Sequence, residues 1–272
     1  EAADRGHNVL SVARKVAADR IPGVTYIEGT LLDVPSLLAE LQGVDAVVVA
    51  APTHLHHSVA LDVIAAGSSV LVEKPIASTA DEGREIVAAA KARGVTLMVG
   101  HVERFNPAVR AVKEAIKGEQ LLSVAITRVG PFPPRMSNVG VVIDLAVHDI
   151  DIIRHLTDSE IVEVQPQLAR TRAEREDTAL LQFRLDNGVI AHITTNWVTP
   201  YKTRVLQVAT KNRFIVADLI TRQVTEFFGQ QPDGSYSTRM LNSWPAEPLK
   251  KELEAFARAA PRHHHIVFKA HP

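Results

Sequence analysis

Short runs of Val, Leu and Ile, separated by polar stretches with helical spacing, dominate the first hundred residues. Asn8 to Ala13, Val24 to Ile27, Asp45 to Ala50, Ser69 to Val72 and Thr96 to Val99 are mostly apolar on both faces, as strands of a parallel sheet are when both sides are covered. Between them, Pro35 to Leu41, His57 to Ala66 and Ala80 to Arg93 read as helices that stop at Gly43, Gly67 and Gly94, where a left-handed residue carries no Cβ penalty. This alternation predicts a doubly wound domain whose ligand sits beyond the carboxyl ends of the strands.

After about Phe105 the pattern changes. Pro107 to Ile116 and Ile143 to Leu156 keep a helical period, whereas Ile161 to Arg170, Thr178 to Leu185, Val189 to Val198, Arg204 to Ala209, Phe214 to Asp218 and Gln223 to Phe228 alternate or are rich in β-branched residues. Asp186, Asn187 and Gly188 supply a hairpin turn between two of these strands. The fold class expected is therefore α/β: a doubly wound Rossmann domain over 1–104, followed by an α+β domain with an open, mainly antiparallel sheet over 105–261. Residues 262–272, with His263, His264 and His265 together, read as an irregular tail.

The Rossmann domain reads as incomplete at its N-terminus. No G-x-G-x-x-G occurs in the sequence, so the usual first strand and the glycine-rich turn that meets a pyrophosphate are missing, and truncation is the favoured explanation.

Composition narrows the partners. With 30 basic against 31 acidic residues there is no global field for nucleic acid or an anionic membrane, and a small-molecule partner is expected. No apolar run is long enough to span a bilayer. The absence of cysteine removes disulfides, thiolate metal sites and a thiol nucleophile, and fits a reducing, cytoplasmic setting.

Three groups of residues carry candidate chemistry. Glu73, Lys74 and Pro75 end a buried strand; a lysine there faces the cofactor crevice, and the competing reading is a surface lysine beside a turn. Ala51, Pro52, Thr53, His54 and His57 follow another strand at a helix start, where amides and a hydroxyl meet a ligand. A metal cluster of His54, His56 and His57 is disfavoured because no carboxylate completes the shell, so no metal is expected. Asp144 and His148, four apart on an apolar helix and followed by Asp151 and His155, form a polar stripe suited to moving a proton, unless it is simply a solvated face.

Taken together, the A-x-P-T-x-x-H-like turn, the E-K-P at Glu73 to Pro75 and the D-x-x-x-H at Asp144 and His148 resemble the glucose-fructose oxidoreductase/inositol dehydrogenase/rhizopine-catabolism (Gfo/Idh/MocA) family from Asp45 to about Glu254. The resemblance implies an NAD(P)-dependent oxidoreductase acting on a secondary alcohol of a sugar, with Lys74 near the nicotinamide, His148 as acid/base and Asp144 in the sugar site. The runs Gly100 to Pro107, Gly130 to Arg135 and Asn196 to Lys202 look like the UDP-N-acetylglucosamine 3-dehydrogenase branch. In that branch Arg104, Asn106, Arg135 and Lys202 would bind substrate, with Arg204 a further cation; the basic residues would otherwise cap carboxylates at a subunit interface.

The first 44 residues look more like an atypical short-chain dehydrogenase or NAD(P)-binding protein, with Gly29, Thr30 and Asp33 where such proteins have G-D-x-x-D. Arg14 and Lys15, at the end of the second strand, favour NADP over NAD because a cation there accommodates a 2′-phosphate. A homodimer or homotetramer through the C-terminal sheet is expected. The alternative from another class is a catalytically inactive NAD(P)- or sugar-binding regulator of the same fold.

Overall fold

The computed structural model describes residues 8–13, 24–28, 45–133, 139–260 and 265–268, and its contacts divide the chain into two units: residues 1–101 with 251–272, and residues 102–250. The sequence pattern places the division at 104 and keeps the last helix with the second domain. That helix instead joins the first unit, because its apolar face fits one side of the parallel sheet.

In the first unit, strands β1 (Asn8–Ala13), β2 (Val24–Glu28), β3 (Ala46–Val49), β4 (Ser69–Glu73) and β5 (Leu97–Gly100) are joined by β14 (His265–Phe268) in the order β2-β1-β14-β3-β4-β5, with every pair parallel. This is the doubly wound order in which the outer strands run 3-2 and 4-5-6 about a central first strand. Here the segment from near the end of the sequence, read as an irregular tail, takes the central place. Its backbone can do so because a parallel partner needs only extended chain between two open strand edges.

Helix α1 (His56–Ala65) and helix α2 (Ala80–Arg93) cover one face of β3 and β4, burying Val49, Val63, Val70, Val72 and Ile86. Thr79 and Glu82 form a reciprocal capping box at the start of α2, and Gly94 stops it at φ 72°. Ala46, Val48 and Leu71 on the other face pack against Phe256 and Ala260, at the end of helix α5 (Pro248–Ala259). Helix Pro35 to Leu41 and Gly43, expected from the sequence, lie outside the described residues.

The second unit is built on an eight-stranded sheet. Its strands are β6 (Leu121–Pro131), β7 (Ile161–Ala169), β8 (Thr178–Leu185), β9 (Ile190–Asn196), β10 (Val198–Thr210), β11 (Arg213–Asp218), β12 (Val224–Phe228) and β13 (Ser237–Leu241), in the order β13-β12-β11-β10-β6-β9-β8-β7. All pairs are antiparallel except β6 with β9. Alternation decides which side is wet: Ala179, Leu181, Phe183 and Leu185 of β8 point into the core, and Leu180 between them is 48% exposed.

Helix α3 (Pro107–Ala115) and helix α4 (Val147–Thr157) supply the rest of that core, through Val109, Val112, Ile152, Ile153 and Leu156. A π-helical turn, Val142–Ala146, runs directly into α4, so the helix expected from Ile143 starts with a wider turn. Lys113 of α3 closes the other end of α4, donating to the carbonyl of His155 at 2.6 Å and to Asp158, which holds a left-handed φ of 47°.

Candidate functional site

The first unit gathers its polar residues where β3 and β4 end. The chain leaves β3 through Ala51 and Pro52, makes a 3-10 turn over Thr53–Leu55 and enters α1, and neither the turn nor the helix has a side-chain cap. Thr53 is the first residue of the 3-10 turn. The start of α1 instead leaves amide groups at the carboxyl edge of the sheet, the place where an anionic ligand is favoured.

Glu73 and Lys74 leave β4 half-buried, and the Lys74-Pro75 bond is cis. His56 joins the two turns: Nδ1 lies 2.8 Å from the Pro75 carbonyl oxygen and Nε2 lies 2.8 Å from that of Ala51. Carbonyl oxygens only accept, so each of these contacts needs an N–H on the ring nitrogen that makes it. Sequence reasoning passed over His56 in favour of its neighbours. His54 is exposed, and His57 reaches Glu85 of α2 at 2.7 Å, where it holds helix to helix. The one of the three histidines facing inward is the one that ends the A-x-P-T-x-x-H turn.

The carboxyl edge of the sheet thus brings together a lysine directly after β4, an uncapped helix start after β3, and a buried histidine that ties both turns. Arg14, the expected ribose-side residue, lies outside the described residues.

In the second unit Asp144 sits within the π-helical turn and His148 in the first turn of α4, both half-buried, with Nδ1 of His148 buried. The start of this helical segment is fixed from the loop before β8. The amides of Thr171, Arg172 and Ala173 and the hydroxyl of Thr171 all donate to one carboxylate oxygen of buried Asp177. Burial alone would raise Asp177, but these donors outweigh it and hold the group at about 2. The loop so fixed presents Glu176, whose backbone and side-chain oxygens accept from the amides of Val141 and Val142. Gly140 makes room for it, since a Cβ there would overlap the Glu176 carboxylate.

The next acid of the polar stripe is committed to an ion pair. Asp151, 4% exposed, takes a two-pronged contact from Arg104. His155 is pushed down by burial and then by the charges of Arg104 and Lys113. Asp149, adjacent to His148 and absent from the sequence reading, is 0% exposed and binds Arg128 through Nε at 2.9 and 3.0 Å. Arg128 also reaches Glu103 at 3.1 Å, and Glu103 meets Arg204 at 3.4 Å. Burial works against the Arg128 charge, and Asp149 and Glu103 more than offset it.

The expected substrate residues separate accordingly. Asn106 is buried and structural: its Oδ1 accepts from the Ala108 amide as the cap of α3, while its Nδ2 donates to Glu103 and to the Leu219 carbonyl. Arg104 spends one edge of its guanidinium on Asp151. Lys202 is exposed, its stem passing over Gly130. Arg135 lies outside the described residues. Among the described residues no cluster of three metal-ligating side chains occurs, and no helix is long and apolar enough to cross a membrane.

Comparison with known proteins adds to this geometry. Residues 10–101 match the family model described as an oxidoreductase family, NAD-binding Rossmann fold, and residues 120–217 match the GFO/IDH/MocA C-terminal domain. The first match begins well before Asp45, so most of the segment set apart as short-chain-dehydrogenase-like falls inside the same family. A UDP-N-acetylglucosamine 3-dehydrogenase from Acidithiobacillus ferrooxidans is 31% identical over 186 residues, covering 68% of this chain and 59% of that protein. An inositol 2-dehydrogenase from Saccharopolyspora erythraea is 33% identical over 55% of this chain and 47% of its own length. The chain thus spans about half of the length of the curated relatives it matches. A solved structure of the Acidithiobacillus ferrooxidans enzyme superposes with a TM-score of 0.75 at 27% identity, covering 83% of this chain and 72% of that one.

Proposed function

Because the chain belongs to the Gfo/Idh/MocA family of oxidoreductases, whose first domain is an NAD-binding Rossmann fold, we propose that it is a nicotinamide-dependent dehydrogenase acting on a secondary alcohol of a sugar. A nucleotide sugar such as UDP-N-acetylglucosamine is the substrate class we favour, from the relative that is 31% identical over 186 residues. The observation that carries the reading is Lys74 at the end of β4, with its turn tied through Pro75 and His56 to the turn after β3.

A bound nicotinamide would supply the acceptor for the hydride leaving the alcohol carbon. His148 takes the proton from the alcohol oxygen, so that the alcohol becomes a ketone, and Asp144 orients the sugar. Lys74 holds the reacting end of the site in register. Lys202 and Arg135 are the proposed cations for a diphosphate, with the exposed edge of Arg104 beside them in role. Asn106 acts by fixing Glu103. Titrating the chain with NADH and NADPH by nicotinamide fluorescence, then adding UDP-N-acetylglucosamine with the oxidised cofactors, tests the proposal. Saturable binding and reduction of cofactor are expected; absence of both overturns it, and binding without turnover points to the regulator alternative.

The finer cofactor choice rests on Arg14. NADPH is expected to bind more tightly than NADH, and Arg14→Asp to reverse the order. An unchanged ratio of dissociation constants would leave Arg14 an ordinary surface residue.

The proposed partner in assembly is a second copy of this chain. Leu180 and Ile190 stand on the outer face of the second unit's sheet at 48% and 59% exposure, and Val164 and Leu168 of the edge strand β7, in phase with Phe183 and Ala179, are 54% and 56% exposed; exposed apolar positions and an edge of this kind associate in water. Light scattering at micromolar concentration is expected to give a dimer or tetramer, and a monomer would contradict the assignment.

A further inference from the structure

The helical segment that carries Asp144 and His148 begins without a cap of its own. Val139, Gly140 and Val141 lead into the π-helical turn Val142–Ala146, and none of them has a side-chain oxygen to offer the first amides, which a helix leaves without an internal partner. The acceptors come instead from Glu176, 34 residues beyond Val142. Its carbonyl oxygen accepts from the Val141 amide at 2.8 Å and its Oε1 from the Val142 amide at 3.4 Å. A carboxylate is favoured there by the aligned N–H dipoles of the helix start as well.

Two neighbours make this contact possible. One is Gly140: a Cβ there would overlap Oε1, Cδ and Oε2 of Glu176, so the carboxylate lies where any other residue would put its side chain. The other is Asp177, 0% exposed, whose Oδ2 accepts from the amides of Thr171, Arg172 and Ala173. The Asp177 amide donates to the Ala169 carbonyl at 3.1 Å, and its own carbonyl accepts from the Trp197 amide at 2.9 Å. With its successor held by side chain and backbone alike, Glu176 reaches out from a fixed point.

From Gly140 the placement is passed along the helix. The Asp144 amide donates to the Gly140 carbonyl oxygen at 3.1 Å, and His148 follows four residues after Asp144, about one turn on. The far end is pinned separately, where Lys113 donates to the carbonyl of His155 at 2.6 Å. Proton removal needs the acid/base group and the sugar-orienting group fixed against one alcohol, and a misplacement of about 1 Å can cost on the order of a hundredfold in rate.

We propose that Glu176 is a positioning residue for this chemistry: a cap supplied by the loop before β8, seated in the space that Gly140 leaves, that sets where Asp144 and His148 stand. Its meaning for catalysis rests on the dehydrogenase reading given above, whereas the placement itself can be read without turnover.

Two variants remove the contact in different ways. Glu176→Ala deletes the carboxylate. Gly140→Ala keeps it but fills its space; the backbone tolerates the methyl, because Gly140 is not among the glycines of positive φ and the atoms displaced are the outer end of a flexible side chain. Each is expected to lower kcat about tenfold or more, and the double variant is expected to lose no more than the worse of the two, since both remove one contact. Glu176→Gln, which retains an acceptor oxygen, should recover most of the rate. A kcat within twofold of the parent in both single variants, or losses that multiply in the double, overturns the proposal.

Placement is read by diethyl pyrocarbonate modification of the full chain followed by mass spectrometry, with His155 at the pinned end of the same helix as the internal reference. The ratio of His148 to His155 modification should rise severalfold in G140A and in E176A. An unchanged ratio, whether because His148 stays as it was or because both histidines rise together in a general loosening, overturns the assignment. Should E176A fail to fold, G140A carries both measurements. A parent that turns over no sugar while its variants show this local change would refute the dehydrogenase reading and leave the positioning role standing.

Discussion

His148→Ala and Lys74→Ala are each expected to lower kcat by about a hundredfold or more while leaving the thermal midpoint near that of the parent. For His148 the argument is chemical. An alcohol loses its hydride readily only as its proton leaves, and an imidazole titrating near neutral pH is suited to take that proton. It stands in the first turn of α4, directly beyond the π-helical turn that carries Asp144, with Nδ1 buried. For Lys74 the argument is positional: the residue directly follows β4, and its turn is held through Pro75 and His56. Neither side chain is part of a hydrophobic cluster, so removing it leaves no large cavity. Steady-state kinetics and a melting curve on the same preparations check both halves. Activity within threefold of the parent, or a collapse in Tm that accounts for the loss, would sink the assignment.

Arg128→Met is expected to cost about 3–5 kcal/mol of stability, a fall in Tm on the order of 10 °C. Arg128 and Asp149 are 2% and 0% exposed, so the substitution strands a carboxylate in the core of the second unit with Glu103 close by. The double variant Arg128→Met with Asp149→Leu should recover much of the loss, because two apolar side chains replace a pair that had to be desolvated. Denaturant melts of the single and double variants measure this directly. A single variant within about 1 kcal/mol of the parent would show that the pair is solvated in practice.

Much of this was legible in the residues, for identifiable reasons. β1 and α2 fall on the expected ranges because an apolar run between polar flanks, or a capping box ending in glycine, carries its own boundaries. Asp149 escaped because a helical wheel drawn through Asp144, His148, Asp151 and His155 turns it aside, and the wider π-helical turn before α4 is invisible in the spacing. Arg128 did leave a signal. Val124 and Ile126 fix the inward phase of β6, and an arginine on that phase requires a buried acid. Glu226 on β12, 0% exposed and held by Arg213 and Arg239, follows the same rule with the signs exchanged. The choice of His54 and His57 over His56 came from the same limitation, since adjacent positions on a helix start differ by a hundred degrees and only the packed structure says which one faces the sheet.

The central place of β14 bears on how the protein is made. The second unit's strands are all synthesised by Leu241, so that unit can fold while the first unit still waits for α5 and for His265–Phe268. At about 5–20 residues per second, the interval between Gly100 and His265 lasts on the order of ten to thirty seconds. Among the described residues β1 and β3 meet only through β14, so within this chain their facing edges are the last of the parallel sheet to be paired and the ones most open to mispairing.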